Sequence, residues 1–174
     1  MDSLQYFQRL FDYNYWMNRT IWEKCVLPLT DEQYTQYNDY SKGSVHRQLV
    51  HMMAVEQLWL SRLHGVNPNA LPKPDEYPTR DLLRARWDKV ERDWRTYLHG
   101  LTEADLQRYI EYQYIVKAGE ITEQRHMLLW EILVQTVNHG TDHRAQLLAA
   151  IHRAGGATLE QDYTLFATAN AAGV

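Results

Sequence analysis

His139 and His143 stand four residues apart within LLWEILVQTVNHGTDHRAQLLAA, residues 128–150. On a helix, residues at i and i+4 lie one above the other, so both imidazoles can point at one ion. Ile132, Thr136, His139, His143 and Leu147 step by four, three, four and four, which is a single helical face. That face is apolar above and below the two rings. A buried imidazole needs a partner away from water. A lone one is most often a satisfied core group, whereas two on one inward face favour a shared ligand; both readings stay open at this level. A third inward candidate is His51, in the middle of another helical segment. Three imidazoles on one divalent ion leave positions open for water or substrate, as in a catalytic rather than a closed structural site.

Other site chemistries fit less well. There is no HExxH motif, and one cysteine cannot build a Cys-rich zinc site. A di-iron bundle wants Glu-x-x-His on two helices, and only Glu123 to His126 has that spacing. No GxSxG nucleophile elbow is present.

The elements that must position these residues follow from caps and periodicity. Residues 3–27 read as a first helix, capped by Asp2 or Ser3 and ended by Pro28. Its stripe runs through Leu4, Phe7, Phe11, Asn18, Ile21 and Cys25, and Cys25 is expected to be a small buried hydrophobe. Thr30 and Gln33 have capping-box spacing for a short helix. Residues 44–64 read as a second long helix, capped by Ser44, with Gln48, His51, Met52, Val55, Leu58 and Trp59 inward. His46 and His64 are expected to be solvent-facing or capping.

Residues 65–78 hold four of the five prolines and form a long connection, expected to cross the end of a bundle. Residues 79–99 read as a third helix, with Leu83, Trp87, Val90, Trp94, Tyr97 and Leu98 inward and a solvated Arg/Asp/Glu face. Thr102 and Asp105 can cap a short turn. Ile110, Tyr112, Tyr114 and Val116 alternate, and residues 117–120 can turn the chain into a small β-hairpin. A fourth helix is expected over about 126–154, stopped by Gly155-Gly156. In the tail, 157–174, Tyr163, Leu165 and Phe166 are the docking candidates, and the last few residues are expected to be mobile. The architecture is all-α: one four-helix-bundle domain over 1–174, with a hairpin before the last helix and a peripheral tail. Trp16, Trp22, Trp59 and Trp130 are expected in the core or at an interface.

The formal net charge is −4, and basic residues are scattered among acidic ones. That argues against a nucleic-acid partner, since phosphate neutralisation needs a basic surface. No apolar run reaches the roughly 18 residues of a membrane span. The N-terminus lacks a basic n-region and an apolar h-region, so no signal peptide is expected. The single Cys25 excludes an internal disulfide and makes a cytoplasmic location the expectation.

Three stretches carry a resemblance. NHGTDHRAQ, residues 138–146, is similar to the His-Gly-x-x-His-Arg-x-Gln hallmark of the DinB-like (DinB/YfiT) family of metal-dependent proteins. SVHRQLVHMMAVEQLWLSRL, residues 44–63, resembles that family's second helix, and FDYNYWMNRTIWE its opening helix. The resemblance implies an up-down-down-up bundle, usually a homodimer, and a divalent metal held by three histidines, commonly nickel or zinc and sometimes iron. Carried over by position, the ligands are His51, His139 and His143. The family name records DNA-damage induction, a stress response, without implying DNA binding. Wider relatives use low-molecular-weight thiols in transfer or isomerisation.

Two chemistries follow for such a site: stabilising a thiolate for transfer, or acidifying a water for hydrolysis. The competing readings are a non-catalytic metal-binding stress-response bundle and a plain helical protein with core histidines. Ligand imidazoles donate their other N–H to an outer acceptor, and Glu56, Asp142 and Gln146 are the candidates. Arg144 is a motif residue expected to make an ion pair within the bundle or across a dimer interface.

Overall fold

The computed structural model describes residues 2–117 and 121–170. Helix α1, Ser3–Ile21, opens on a capping box in which Asp2 accepts from the Gln5 amide and the Gln5 side chain returns to the Asp2 N–H. It widens into a π-helical turn over Trp22–Val26 before Pro28. A second capping box, Thr30 with Gln33, starts the short α2, Asp31–Thr35. Ser44 caps α3, Val45–Leu63, and Thr79 caps α4, Arg80–His99. A 3₁₀ turn over Glu103–Gln107 begins where Thr102 and Asp105 bond each other. Strands β1, Tyr109–Lys117, and β2, Ile121–Leu128, pair antiparallel, with Tyr109 opposite Leu128 and Tyr114 opposite Glu123. Helix α5, Leu129–Arg153, then returns through the bundle and stops at Gly155, which takes a left-handed φ of 78°. A last short helix, α6, Tyr163–Ala169, packs Phe166 on Tyr13 and Trp16 of α1.

The four long helices form an all-α bundle. α3 and α4 run parallel. At their starts His46 Nε2 meets the Tyr77 carbonyl at 2.8 Å, and at their ends the His64 and Tyr97 rings stand 5.4 Å apart. The proline-rich connection therefore travels back along α3 instead of capping the bundle end, which places Leu71 and Pro72 beside the histidine face. α1 is antiparallel to α4, with Gln8 on the Leu98 carbonyl and Arg19 on Asp88 and Glu91. The core is one continuous cluster that includes Phe11, Met17, Met53, Trp87, Trp94, Leu133 and Ile151.

Several expectations are corrected. The fourth helix starts at Leu129, because residues 121–128 pair with β1. Glu123 and His126 therefore lie on a strand and cannot supply a helical di-iron motif. The charged side of α4 is not simply solvated: Glu91 is buried and joins Arg19 and Arg95, while Asp88 joins Arg19 and Arg84. His46 is half-buried, its ring 5.2 Å from that of Tyr34. Trp130 lies at the surface, 37% exposed, outside the core that buries Trp22 and Trp59. Cys25 is buried, as its stripe position predicts. The expected hairpin turn at 118–120 and the end of the tail, 171–174, lie outside the described residues.

Candidate metal centre

α3 and α5 run antiparallel and face each other through their imidazoles. His51 of α3 lies opposite His139 and His143 of α5. His51 Nε2 stands 3.2 Å from His143 Nε2 and 3.2 Å from His139 Nε2. One ligand atom from each ring falls within 4.8 Å of the others. Three nitrogens at about 2.0–2.1 Å from a tetrahedral ion would be about 3.3 Å apart. The two spacings from His51 match that value and all three ligand atoms lie within 4.8 Å of one another, so the donor set suits a divalent ion.

The charge state fits as well. A metal ligand must be a neutral imidazole. Burial, followed by Lys42 and the neighbouring rings, lowers His51 to about 3, and burial, His143 and Lys42 lower His139 to about 4. His143 is lowered by burial and by Lys42. All three rings are thus neutral near pH 7 and present lone pairs. His51 and His139 are only half-buried, and each lines a surface cleft.

The outer contacts are those expected only in part: Gln146 bonds the His143 side chain, and Gln48 joins it. Gln48, one turn before His51, places its side-chain amide 2.6 Å from His143 Nδ1. Ser41, in the left-handed region with φ 53°, brings its Oγ to Gln48 Oε1 at 2.9 Å and also to Gln146 Oε1. One hydroxyl proton cannot serve both amide oxygens. If the Gln48 amide is turned, the His143, Gln48 and Ser41 side chains can be linked donor to acceptor. His143 Nδ1–H then donates to Gln48 Oε1, Gln48 Nε2 to Ser41 Oγ, and Ser41 to Gln146. The turn replaces the 3.2 Å contact from Gln48 to the His143 carbonyl. Nε2 of His143 is left free to bind an ion. Asp142 is exposed and accepts from Gln146 Nε2, so it ends this chain and does not itself meet a ring.

Glu56 is not part of the centre. It lies five residues beyond His51, on another side of α3, and takes bonds from Trp87 Nε1 at 2.8 Å and Asn14 Nδ2 at 3.2 Å. Arg144 is fully buried and stays within the bundle, donating to Asn14, Asn18, Thr141 and Gln161. Gly140, the motif glycine, permits this: a Cβ there would run into Asn14 Oδ1. Sequence reasoning missed Gln48 and Lys42 as neighbours of the centre. Gln48 had a signal, since it precedes His51 by three on the same inward face. Lys42, on the loop before α3, had none.

Fold and site together define an all-α bundle with an inward, accessible three-histidine cluster of the kind that holds a divalent ion. The chain belongs to the DinB family, whose model matches residues 1–173. No curated protein matches it significantly.

Proposed function

We propose that this protein is a divalent-metal-dependent enzyme, with His51, His139 and His143 as ligands, that carries out thiol-dependent group transfer. The observation that supports it most is the convergence of three neutral imidazoles at 3.2 Å spacing beside an open cleft. When bound, the ion supplies Lewis acidity that holds a low-molecular-weight thiol as its thiolate near neutral pH. The protein does the rest. Gln48 orients the His143 ring, and Lys42 adds positive potential that favours an anionic sulfur. The cleft beside His139 positions an electrophile. In the transfer the thiol proton passes to solvent, the thiolate sulfur forms a bond to an electrophilic carbon, and the leaving group departs with the electron pair of the bond it gives up.

Nickel or zinc, with iron as a third choice, suit imidazole donors, and availability decides among them. The same proposal places the protein in the cytoplasm as a homodimer with a small-molecule substrate and no nucleic-acid partner. Among the described residues no helix is long and apolar enough to cross a membrane.

The test starts with metal content of untagged protein. About one ion per chain is expected, lost in His139→Ala. Cobalt-substituted protein should then gain a thiolate-to-metal absorption band on adding a thiol. No metal in the wild type, and no uptake on adding nickel or zinc, would sink the proposal. Metal without a thiol band, together with ester hydrolysis, would replace transfer by the hydrolase alternative. A centre that binds metal and does neither is the non-catalytic bundle.

A further inference from the structure

Arg62 ends the face of α3 that His51 begins. Its guanidinium lies against two rings that meet edge to face, 4.7 Å from the centroid of Trp59 and 4.6 Å from that of Tyr112. The residue is 7% exposed. Nη2 donates to the Gln113 carbonyl at 2.8 Å, and the buried Nε has no partner among the described residues. Among the described residues no ion pair involves Arg62, whereas the partly buried Arg84 is paired with Asp88. Burial works against its charge, opposed only by the phenols of Tyr112 and Tyr114. A desolvated guanidinium without a carboxylate is costly unless something else meets it.

The same side chain lines a cleft of about 410 Å³ that reaches His139. Between the two ends the wall is apolar, formed by Val55, Leu58, Trp59 and Leu71. Eleven residues separate His51 from Arg62, roughly 16 Å of helix rise, and side chains lean back toward the helix start. The cleft thus has a cationic end, an apolar middle and an end at the histidine centre. We propose that it binds a small molecule with an apolar body and one anionic group, a carboxylate or its equivalent. Arg62 is the anion anchor, and the opposite end of the ligand lies at His139. The assignment of that opposite end as the reacting one rests on the proposed metal centre. The Arg62 contact does not.

The experiment is calorimetric titration of the untagged full chain with 4-phenylbutyrate and its neutral amide, in metal-free and zinc-loaded forms. A charge-assisted pair at a desolvated guanidinium should favour the carboxylate about tenfold or more. The preference is expected in both forms, reduced in Arg62→Lys and abolished in Arg62→Met. Equal affinities, no binding of either compound, or a preference that survives Arg62→Met would overturn the proposal. So would a preference seen only with zinc, since the carboxylate would then be on the ion. If Arg62→Met does not fold, the wild-type comparison without metal and Arg62→Lys decide. Failure to take up zinc would count against the metal centre and leave the metal-free comparison intact.

Discussion

Lowering the pH from 7.5 to 5.0 pulls the metal-free protein in two opposite directions. His51 and His139 are lowered to about 3 and about 4 from an ordinary 6.5, chiefly by burial. In the unfolded chain both rings take up protons near pH 6.5; in the fold they stay neutral until about pH 4. Across that window the unfolded state binds more protons, so stability is lost as pH falls. At pH 5.0 each ring accounts for roughly 2 kcal/mol. Both rings are partly exposed, and solvent screening cuts their joint effect to roughly 2 kcal/mol. His143 is lowered as well and acts in the same direction.

Glu56 opposes them. Burial raises its carboxyl from 4.5 to about 7, against the bonds from Trp87 and Asn14 and the charges of Arg144 and Arg84. The folded state keeps a proton that the unfolded chain releases above pH 4.5. Its stabilising effect is full below pH 4.5 and is lost as pH rises through 7. Going from pH 7.5 to 5.0 therefore restores about 2 kcal/mol. The two effects oppose each other, so the wild type should change less over this range than either variant that removes one side of the balance.

Variants separate them. In chelator, the His51→Asn/His139→Asn double variant should become more stable as pH falls from 7.5 to 5.0, by about 2 kcal/mol. Glu56→Gln should become less stable by a similar amount. Urea unfolding followed by far-UV circular dichroism at three pH values measures both. For a chain of this size the corresponding melting shifts are about 4–8 °C. Parallel profiles for wild type and both variants would refute the assignment of these groups.

Gln48→Leu should keep the helix content and weaken zinc binding about 10–100-fold, because His143 loses its orienting partner; competition with a chromophoric chelator reads this, and unchanged affinity counts against that role. Gly140→Ala should cost roughly 2–4 kcal/mol in urea unfolding, since its Cβ displaces Asn14 from Arg144. Arg144→Met should cost about 3 kcal/mol, as it leaves Asn14 and Asn18 with unmet oxygens and Glu56 without a compensating charge.

The three histidines were legible because two regularities coincide. Helical periodicity put each of them on an apolar face, and capping residues fixed where α1, α3 and α4 begin. Of the outer contacts only Gln146 was legible, because the rest depend on which way a side chain leaves its helix. Glu56 is close to His51 in sequence but about 140° around the helix, so it meets α1 and α4 instead of α5. Arg62 is three turns from His51 on the same stripe, and the periodicity could have flagged it. Its role became visible only with Trp59 and Tyr112 around it. Strand β2, ITEQRHML, has no apolar alternation; its backbone pairing with β1 moved the start of α5 by three residues. The tail helix α6 was missed because its docking rests on Phe166 finding Tyr13 and Trp16 across the chain.

The register of the metal centre is coupled to polar groups that never touch it. On α5, His143 and Arg144 are neighbours that diverge, one toward α3 and the other toward α1. On α3, His51 and Glu56 diverge in the same sense. Asn14 of α1 bonds both Arg144 and Glu56, and Trp87 of α4 holds the other Glu56 oxygen. Sliding α5 by one turn would move Arg144 by about 5.4 Å and strand a desolvated guanidinium. An apolar core tolerates such slips far better, since leucine and methionine repack at modest cost. The buried polar layer thus penalises every register but one, and that register sets His51 3.2 Å from both His139 and His143. Gly140 and Arg144 thus face away from the three histidines and belong to the polar layer that fixes how α5 sits against α1 and α3.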